Sequence, residues 1–474
     1  MQPVRRGQAA RDPGHQEIEL ALVRLYYVTG EKSYLETAKY FIDERGKDPS
    51  YFAEEIAGRD WYHWGNEEHR EYAQNHLPVR EQTEAVGHSV RAAYMYTGMA
   101  MIAAETGDTG LLDACDTLWE NITRKRMYIT GGIGSTAHGE AFSIDYDLPN
   151  DTIYAETCAS IALVFFARQM LDIRIKNEYA DVMERALYNG ILSGMRLDGK
   201  RFFYVNPLEV VPGVSGVLHG FKHVKPERPQ WYACACCPPN VSRLIASLGL
   251  YAWGESENKA DLPGIYSHLF VGGSVDFEKT KVRVECETDY PWDGTVRYTV
   301  KPEAAGSVFF FSVRIPGWCS EWSLSVNSEA ADHKLNNGYA YITRSWNEND
   351  IVELKFDMKP QRVYSDTRVR ENINSVALMR GPVVYCIEDA DNKSNVLDLR
   401  LPRSSEIKEK RIVLEPLGEI VALTAEGCCV LPDEDLYSDK PPATEAATLQ
   451  AIPYFAWGNR GAGAMRVWIP ESVI

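Results

Sequence analysis

The chain has 474 residues and a formal charge of −17, with 67 acidic against 50 basic side chains. That excess of carboxylates disfavours nucleic acid and anionic membrane surfaces as partners. Hydrophobic residues at 45% and charged residues at 25% describe a globular protein with room for about three domains. No apolar run approaches the roughly 18 residues of a membrane span, and the arginine-containing segment before Gly14 lacks the apolar centre of a secretory signal. A cytoplasmic location is the expectation. Ten cysteines over this length do not describe a disulfide scaffold, and their clustering points to metal binding or thiol chemistry.

From His15 to about Gly254 the apolar spacing is helical. Ile18, Leu22, Leu25 and Tyr26 stripe a first helix that ends at Thr29-Gly30, and Tyr34, Ala38, Phe41 and Ile42 stripe a second. A long helix from about Glu81 to Glu105 ends at Thr106-Gly107, 77 positions after the first such ending, and a helix around Leu111–Trp119 follows it. A third version of the pair runs through Asp151–Leu171 and Tyr179–Leu192. Repeated hairpins of this kind predict an α/α toroid or solenoid, in which each pair buries its stripe against the next. Between them lie long irregular segments, Lys47–Arg80, Tyr128–Asn150 and Leu197–Cys237, which should gather on one rim and carry function. The glycine-rich Thr130–Ser135 lacks the strand and helix that flank a nucleotide-binding loop.

After Gly254 the pattern changes to strands: Val282–Glu287, Gly294–Lys301, Ser307–Ile315, Glu321–Val326, Tyr339–Arg344 and Ile351–Phe356, with Asn336-Asn337-Gly338 as a hairpin turn. A second set follows at Ser375–Arg380, Pro382–Ile387, Ile412–Leu414 and Gly418–Ala425, with a late strand at Ala464–Ile469. Asp433–Thr448 reads as a long polar loop. The expected division is a helical domain over 1–255, a β-sandwich over 256–360, which the late strand 464–474 rejoins, and a second β-sandwich over 361–463.

The chemistry concentrates in Trp231-Tyr-Ala-Cys-Ala-Cys-Cys-Pro-Pro-Asn240, where Cys234, Cys236 and Cys237 precede a double proline and then a helix running to Gly254. Prolines suit a helix entrance, and the partial positive charge there favours thiolate. Glu156 and Cys158, in Tyr154-Ala-Glu-Thr-Cys158, are the best partners for a tetrahedral zinc set. At i and i+2 they converge on one ion only at a helix start or in a turn; otherwise Cys158 is a buried core thiol. Cys428-Cys429 has no comparable partners and reads as packing. The loop from His138 to Asp147 offers Glu140, Asp145 and Asp147 for acid–base work, against the reading that they are simply solvated. His88, Tyr204 and His15 each admit a bland role as core or cap.

Tyr154–Cys158 together with Cys234–Asn240 resembles glycoside hydrolase family 127, the β-L-arabinofuranosidases, and the order of helical barrel then β-sandwiches is similar along essentially the whole chain. The resemblance implies an (α/α)6-type barrel and a zinc ion held by Glu156, Cys158, Cys236 and Cys237. It makes Cys236 the nucleophile, Glu140 the acid/base residue, and His88, Tyr204 and His15 the sugar contacts. Relatives carry further helices ahead of Pro13–Glu19, so the barrel is expected as an open arc of about seven helices, incomplete at its N-terminal side. That arc should expose Ile18, Leu22 and Leu25. The implied activity is retaining removal of terminal β-L-arabinofuranose from a small carbohydrate, with a homodimer allowed. The alternatives are a non-catalytic carbohydrate-binding homologue with a structural zinc, or a glycosidase of the same fold for another sugar.

Overall fold

The computed structural model describes residues 14–57, 67–256 and 262–472. Its helical half opens with α1 (Ile18–Thr29), α2 (Lys32–Glu44) and α3 (Tyr51–Ala57). It continues through α4 (Ser89–Thr106), α5 (Thr109–Asn121), α6 (Thr157–Ile173), α7 (Asn177–Arg185) and α8 (Cys237–Ala246). The repeated Thr-Gly is one cap used twice. Gly30 and Gly107 end α1 and α4 in the left-handed conformation at φ 72° and 69°, where a residue without Cβ has no steric penalty. In both, the preceding threonine hydroxyl donates to the carbonyl four residues back, at 2.8 and 2.7 Å.

Helices α1, α4, α6 and α8 lie side by side in that order, with α2, α5 and α7 packed behind the first three. The middle of the row is apolar nearly all round: Ala92–Ala103 of α4 and Thr157–Ala167 of α6 are buried without interruption, as central helices require. Its two ends meet at an ion pair, Glu17 with Arg243 at 3.0 Å, while Ile18 and Leu25 on one side and Ile245 and Leu250 on the other stay exposed. Leu22, expected to be open, is buried. Eight α-helices of seven or more residues appear here among the described residues, against about seven expected; the addition, α3, lies in a segment read as irregular. Part of that same segment, 58–66, lies outside the described residues.

Two helix boundaries differ from the periodicity. The third long helix begins at Ser89 rather than near Glu81, because residues 82–87 turn and leave His88 as its N-cap. The helix after the double proline begins earlier, at Cys237, and breaks at Ser247 before a short turn of helix at Gly249–Ala252. Gly131 and Gly134, both at positive φ, let the glycine-rich segment pass directly against Ala186 and Ser89. That is a packing role.

The first β unit is two facing sheets, of five and six strands, around their own apolar core of Phe311, Trp346, Val300, Leu354 and their neighbours. Its hairpin at Asn337-Gly338 has φ of 47° and 76°, the pair of positive values a two-residue type I′ turn needs. The C-terminal strands connect, with Glu209–Val210, as one ten-stranded sheet that closes on itself where Ser375–Arg380 pairs with both Val383–Glu388 and Ile469–Ser472, and its core is continuous with that of the helices. The late strand does not rejoin the first β unit. Met465–Arg466 pairs with Val383–Glu388 and with Glu209–Val210 from the helical half, while Ile469–Ser472 pairs with Ser375–Arg380 and Leu399–Pro402. Its buried residues Met465, Val467 and Ile469 belong to the larger core, which holds it there. The loop read over 433–448 ends early, since Thr444–Pro453 is a strand on Gly418–Val430. Among the described residues no helix is long and apolar enough to cross a membrane.

Candidate active site and metal centre

Glu156 and Cys158 converge because the chain changes conformation between them. Ala155 sits at φ 40°, Glu156 is extended (φ −58°, ψ 138°) as the N-cap of α6, and Cys158 is already in its first turn. Cys236 is the N-cap of α8 and Cys237 its first residue. Pro238 and Pro239 follow where no intrahelical N–H bond is lost. Two helix starts thus face each other. Cys158 Sγ lies 3.7 Å from Cys237 Sγ, which lies 3.8 Å from Cys236 Sγ, and Cys236 Sγ lies 3.3 Å from Glu156 Oε1. All four ligand atoms fall within 4.8 Å of one another.

The donor set and spacing fit zinc. Thiolates about 2.3 Å from a tetrahedral zinc stand about 3.8 Å apart, close to the sulfur separations found. Glu156 is 1% exposed, and its Oε2 is buried with no hydrogen-bond partner. A buried carboxylate oxygen left unpaired is costly, so this cluster is suited to a cation. Its electrostatics are uneven. Burial, then the charge of Cys236, pushes the Glu156 carboxyl well above its usual range. Hydrogen bonds with Cys158 and then Cys237 hold Cys236 far below the ordinary thiol value, against its burial.

Glu140 enters from the opposite side on a strained turn. Gly139 and Glu140 both adopt positive φ, 69° and 54°, and for a non-glycine residue that conformation is found where surroundings enforce it. Ala141 forms bridges to both Thr136 and His88, while Asp145 accepts from Asn121, Lys125 and Arg126 at 3.1, 2.8 and 2.7 Å and pins the far end of the loop. His88 Nδ1 accepts the Arg91 backbone N–H, which leaves Nε2 as the nitrogen that donates, 3.1 Å from Glu140 Oε2. Tyr204 Oη donates to the same oxygen at 3.2 Å. Burial works to raise the Glu140 carboxyl, but His88, then Tyr154 and Tyr204, outweigh it and hold the group below its usual range. The Tyr204 phenol also works to lower the Cys236 thiol, so one side chain favours the charged form of both groups.

Models of three consecutive domains match the chain: the β-L-arabinofuranosidase GH127 catalytic domain over residues 3–250, the GH127 middle domain over 264–358 and the glycoside hydrolase family 127 C-terminal domain over 360–470. The chain belongs to glycoside hydrolase family 127. A curated non-reducing end β-L-arabinofuranosidase of Bifidobacterium longum subsp. longum is 41% identical over 469 residues, spanning 96% of this chain and 70% of that protein. The crystal structure of a GH127 β-L-arabinofuranosidase from Geobacillus stearothermophilus T6 superposes with a TM-score of 0.93 at 49% identity, over 99% of this chain and 74% of that one. A solved GH127 β-arabinofuranosidase gives 0.83 at 38% identity, over 98% and 69%. The chain is therefore a glycoside hydrolase with a helical barrel followed by β domains.

In this family-127 chain one cavity of about 640 Å³ collects every site residue that the family resemblance implied except Cys237, which lies directly behind Cys236, whereas Asp145 and Asp147 do not line it. His15 lines it with its ring 6.2 Å from that of His88, and burial, then the charge of Arg91, lowers its pKa. Cys234 lines the cavity as an exposed thiol outside the four-residue cluster. Periodicity and motif reading missed Tyr72, Tyr94, Asn240, Arg243 and Glu17, which complete the wall. It missed the role of Tyr154 too, as a partner of Glu140. Tyr154 and Asn240 stand at the ends of the two motifs, which was the available signal.

Proposed function

We propose that the chain releases terminal β-L-arabinofuranosyl residues with retention of configuration, Cys236 serving as nucleophile and Glu140 as acid/base. The observation that carries this reading is the meeting of the Glu156, Cys158, Cys236 and Cys237 cluster with the His88–Glu140 pair in one cavity. Glu156, Cys158, Cys236 and Cys237 would hold zinc, which when bound would supply a positive charge that favours the thiolate form of cysteine.

In the first half-reaction Cys236 Sγ forms a bond to the anomeric carbon as the bond to the leaving oxygen breaks, and Glu140 donates its proton to that oxygen. In the second, Glu140 takes a proton from water as the water oxygen displaces sulfur, regenerating thiolate and carboxylic acid. Since His88, Tyr154 and Tyr204 favour the charged carboxylate, the His88–Glu140 pair must carry a proton into the substrate complex. Tyr204, which donates to Glu140 and lines the same cavity as Cys236, helps to hold the acid/base carboxylate in place beside the sugar. His15 offers Nε2 to a sugar hydroxyl, while His88, whose ring nitrogens are engaged by Arg91 and Glu140, presents its ring to the sugar.

The test is hydrolysis of 4-nitrophenyl β-L-arabinofuranoside by zinc-replete protein in water containing methanol, with the methyl glycoside read by NMR. The expected product is the β-methyl glycoside, and Cys236→Ser is expected to lower kcat/KM by about 10⁴-fold or more. An α-methyl product, or a Cys236→Ser variant of near-native rate, rules the assignment out.

A further inference from the structure

The metal cluster depends on the backbone conformation of Ala155, and it is not one that alanine favours. At φ 40° this residue turns the chain between Tyr154 and the extended Glu156, in a region disfavoured for any residue with a Cβ. Relaxed to negative φ, it would send the Glu156 and Cys158 side chains apart, because residues at i and i+2 converge only across such a turn. The conformation is held from both sides. The Ala155 N–H donates to the Gly134 carbonyl at 2.8 Å, and the Ala155 carbonyl accepts from Asn206 Nδ2 at 3.0 Å.

Asn206 is itself fixed. A carbonyl can only accept, so the amide must present Nδ2 to Ala155. The same nitrogen donates to Thr157 Oγ1 at 2.9 Å, and Oδ1 accepts from the Ser193 hydroxyl at 2.6 Å. The Thr157 hydroxyl passes its own proton to the Phe203 carbonyl at 2.9 Å. Ala155, Thr157, Ser193 and Asn206 are each at most 1% exposed, and a buried polar network with its groups satisfied rigidifies what it touches. Backbone bonds lay the two segments side by side. The Asn206 N–H donates to the Tyr154 carbonyl at 3.3 Å and the Thr157 N–H to the Tyr204 carbonyl at 2.9 Å, with Glu156 bridged to Val205. Tyr204, whose phenol donates to Glu140, belongs to the same stretch as Asn206.

We infer that Asn206 is a positioning residue for the metal centre: its side-chain amide holds Ala155 at positive φ and so keeps Glu156 and Cys158 convergent before zinc arrives. The inference rests on the reading of Glu156, Cys158, Cys236 and Cys237 as zinc ligands. Asn206 does not line the cavity, so it acts through the backbone of the ligand turn and not on the sugar. A chain in which Ala155 has relaxed binds zinc more weakly, by the fraction of molecules that still hold the turn. The preference of alanine for negative φ sets that loss at about 5–30-fold. Glycine has no such preference, so a glycine at this position should need no amide to hold it.

The experiment measures the zinc Kd of the reduced, folded chain by competition with a chromophoric chelator. It compares wild type, Asn206→Ala, Ala155→Gly and the double variant, beside urea unfolding of the metal-free proteins. Cobalt(II) in place of zinc reports the ligand geometry through the intensity of its visible absorption. The expected result is a zinc Kd raised about tenfold or more by Asn206→Ala, with weaker tetrahedral cobalt bands. Ala155→Gly alone should stay within about threefold of wild type, and adding Asn206→Ala to it should cost no more than about threefold again. A purely structural role lowers the urea midpoint of Asn206→Ala and leaves the zinc Kd of the folded chain within about twofold. That outcome overturns the inference, as does a weakened Kd that Ala155→Gly does not restore. Should Asn206→Ala fail to fold, Ser193→Ala, which only frees the amide to turn, reads the same Kd. About a two- to fivefold loss is expected there, and an unchanged Kd overturns the inference. Wild-type protein that takes up no zinc removes the ligand set itself, so the two failures are told apart.

Discussion

Two of the buried acidic clusters among the described residues are completed in opposite ways. Where the helices meet the first β unit, Asp181 and Glu184 of α7 surround Arg314, which is fully buried. Glu184 accepts from Arg314 Nη2 at 2.5 Å, from Tyr290 Oη at 2.8 Å and from Trp318 Nε1 at 3.4 Å. Asp181 accepts from Arg314 and from the Gly317 backbone N–H, and Arg314 Nε reaches the His268 carbonyl at 2.6 Å. Every carboxylate oxygen there has a donor from the protein itself. At the α6 and α8 starts, by contrast, Glu156 Oε2 has none and its neighbours are thiols. A buried charge that the chain satisfies by itself holds the architecture together. One that the chain leaves unsatisfied is arranged for something that arrives later.

The sharpest way to break that comparison is to remove the arginine. Arg314→Leu leaves the buried Glu184 and the partly buried Asp181 without their counter-ion, and breaking a buried pair from one side costs about 3–5 kcal/mol. Urea unfolding followed by tryptophan fluorescence should show that loss, with kcat/KM of the folded fraction within a few fold of wild type. A loss below about 1 kcal/mol would make the Arg314 cluster dispensable and end the contrast.

The same operation at the other cluster should behave differently. Glu156→Gln keeps the side-chain shape while removing a carboxylate oxygen that nothing in the chain pairs, so metal-free stability should change by less than about 1 kcal/mol. Zinc at 100 times its Kd should stabilise the wild-type chain by about 2.7 kcal/mol, and the variant should lose most of that. Calorimetry with and without a chelator measures both. An unchanged zinc response in the variant would remove Glu156 from the ligand set.

Legibility followed the same line between local and assembled features. The glycine caps after Thr29 and Thr106 and the turn at Asn337-Gly338 were readable because each depends on neighbouring residues alone. The cysteine and glutamate ligands were readable as candidates, since a double proline marks a helix entrance wherever it stands. What brings Glu156 and Cys158 together, the positive φ of Ala155, was not. Alanine carries no sign of that conformation, and the same holds for Glu140. Nor could spacing show that Arg243 and Glu17 meet, because they are 226 positions apart and lie on opposite ends of the helical row. The late strand was misplaced for a related reason. Alternation identifies a strand, but its partner is chosen by which core its buried face completes, and Val467 and Ile469 fit the C-terminal one.

The smallest effect concerns the loop that presents Glu140. Burial acts to raise the Asp145 carboxyl, but hydrogen bonds from Lys125 and Arg126 hold it below its usual range. A folded value below the unfolded one, near 3.9, means the contribution to stability is fully present above about pH 4. It is lost as pH falls through the lower folded value. The side chain is 26% exposed, so solvent screening limits that contribution to about 1 kcal/mol or less. Asp145→Asn keeps the shape and forfeits the charge, so its stability should differ from wild type at pH 6 and converge with it towards pH 3. Because Asp145 pins the loop behind a strained Glu140, kcat/KM at neutral pH should also fall a few fold. Equal stabilities at pH 6, together with unchanged kcat/KM, would show that the backbone bridges of Ala141 hold the acid/base residue without help from this anchor.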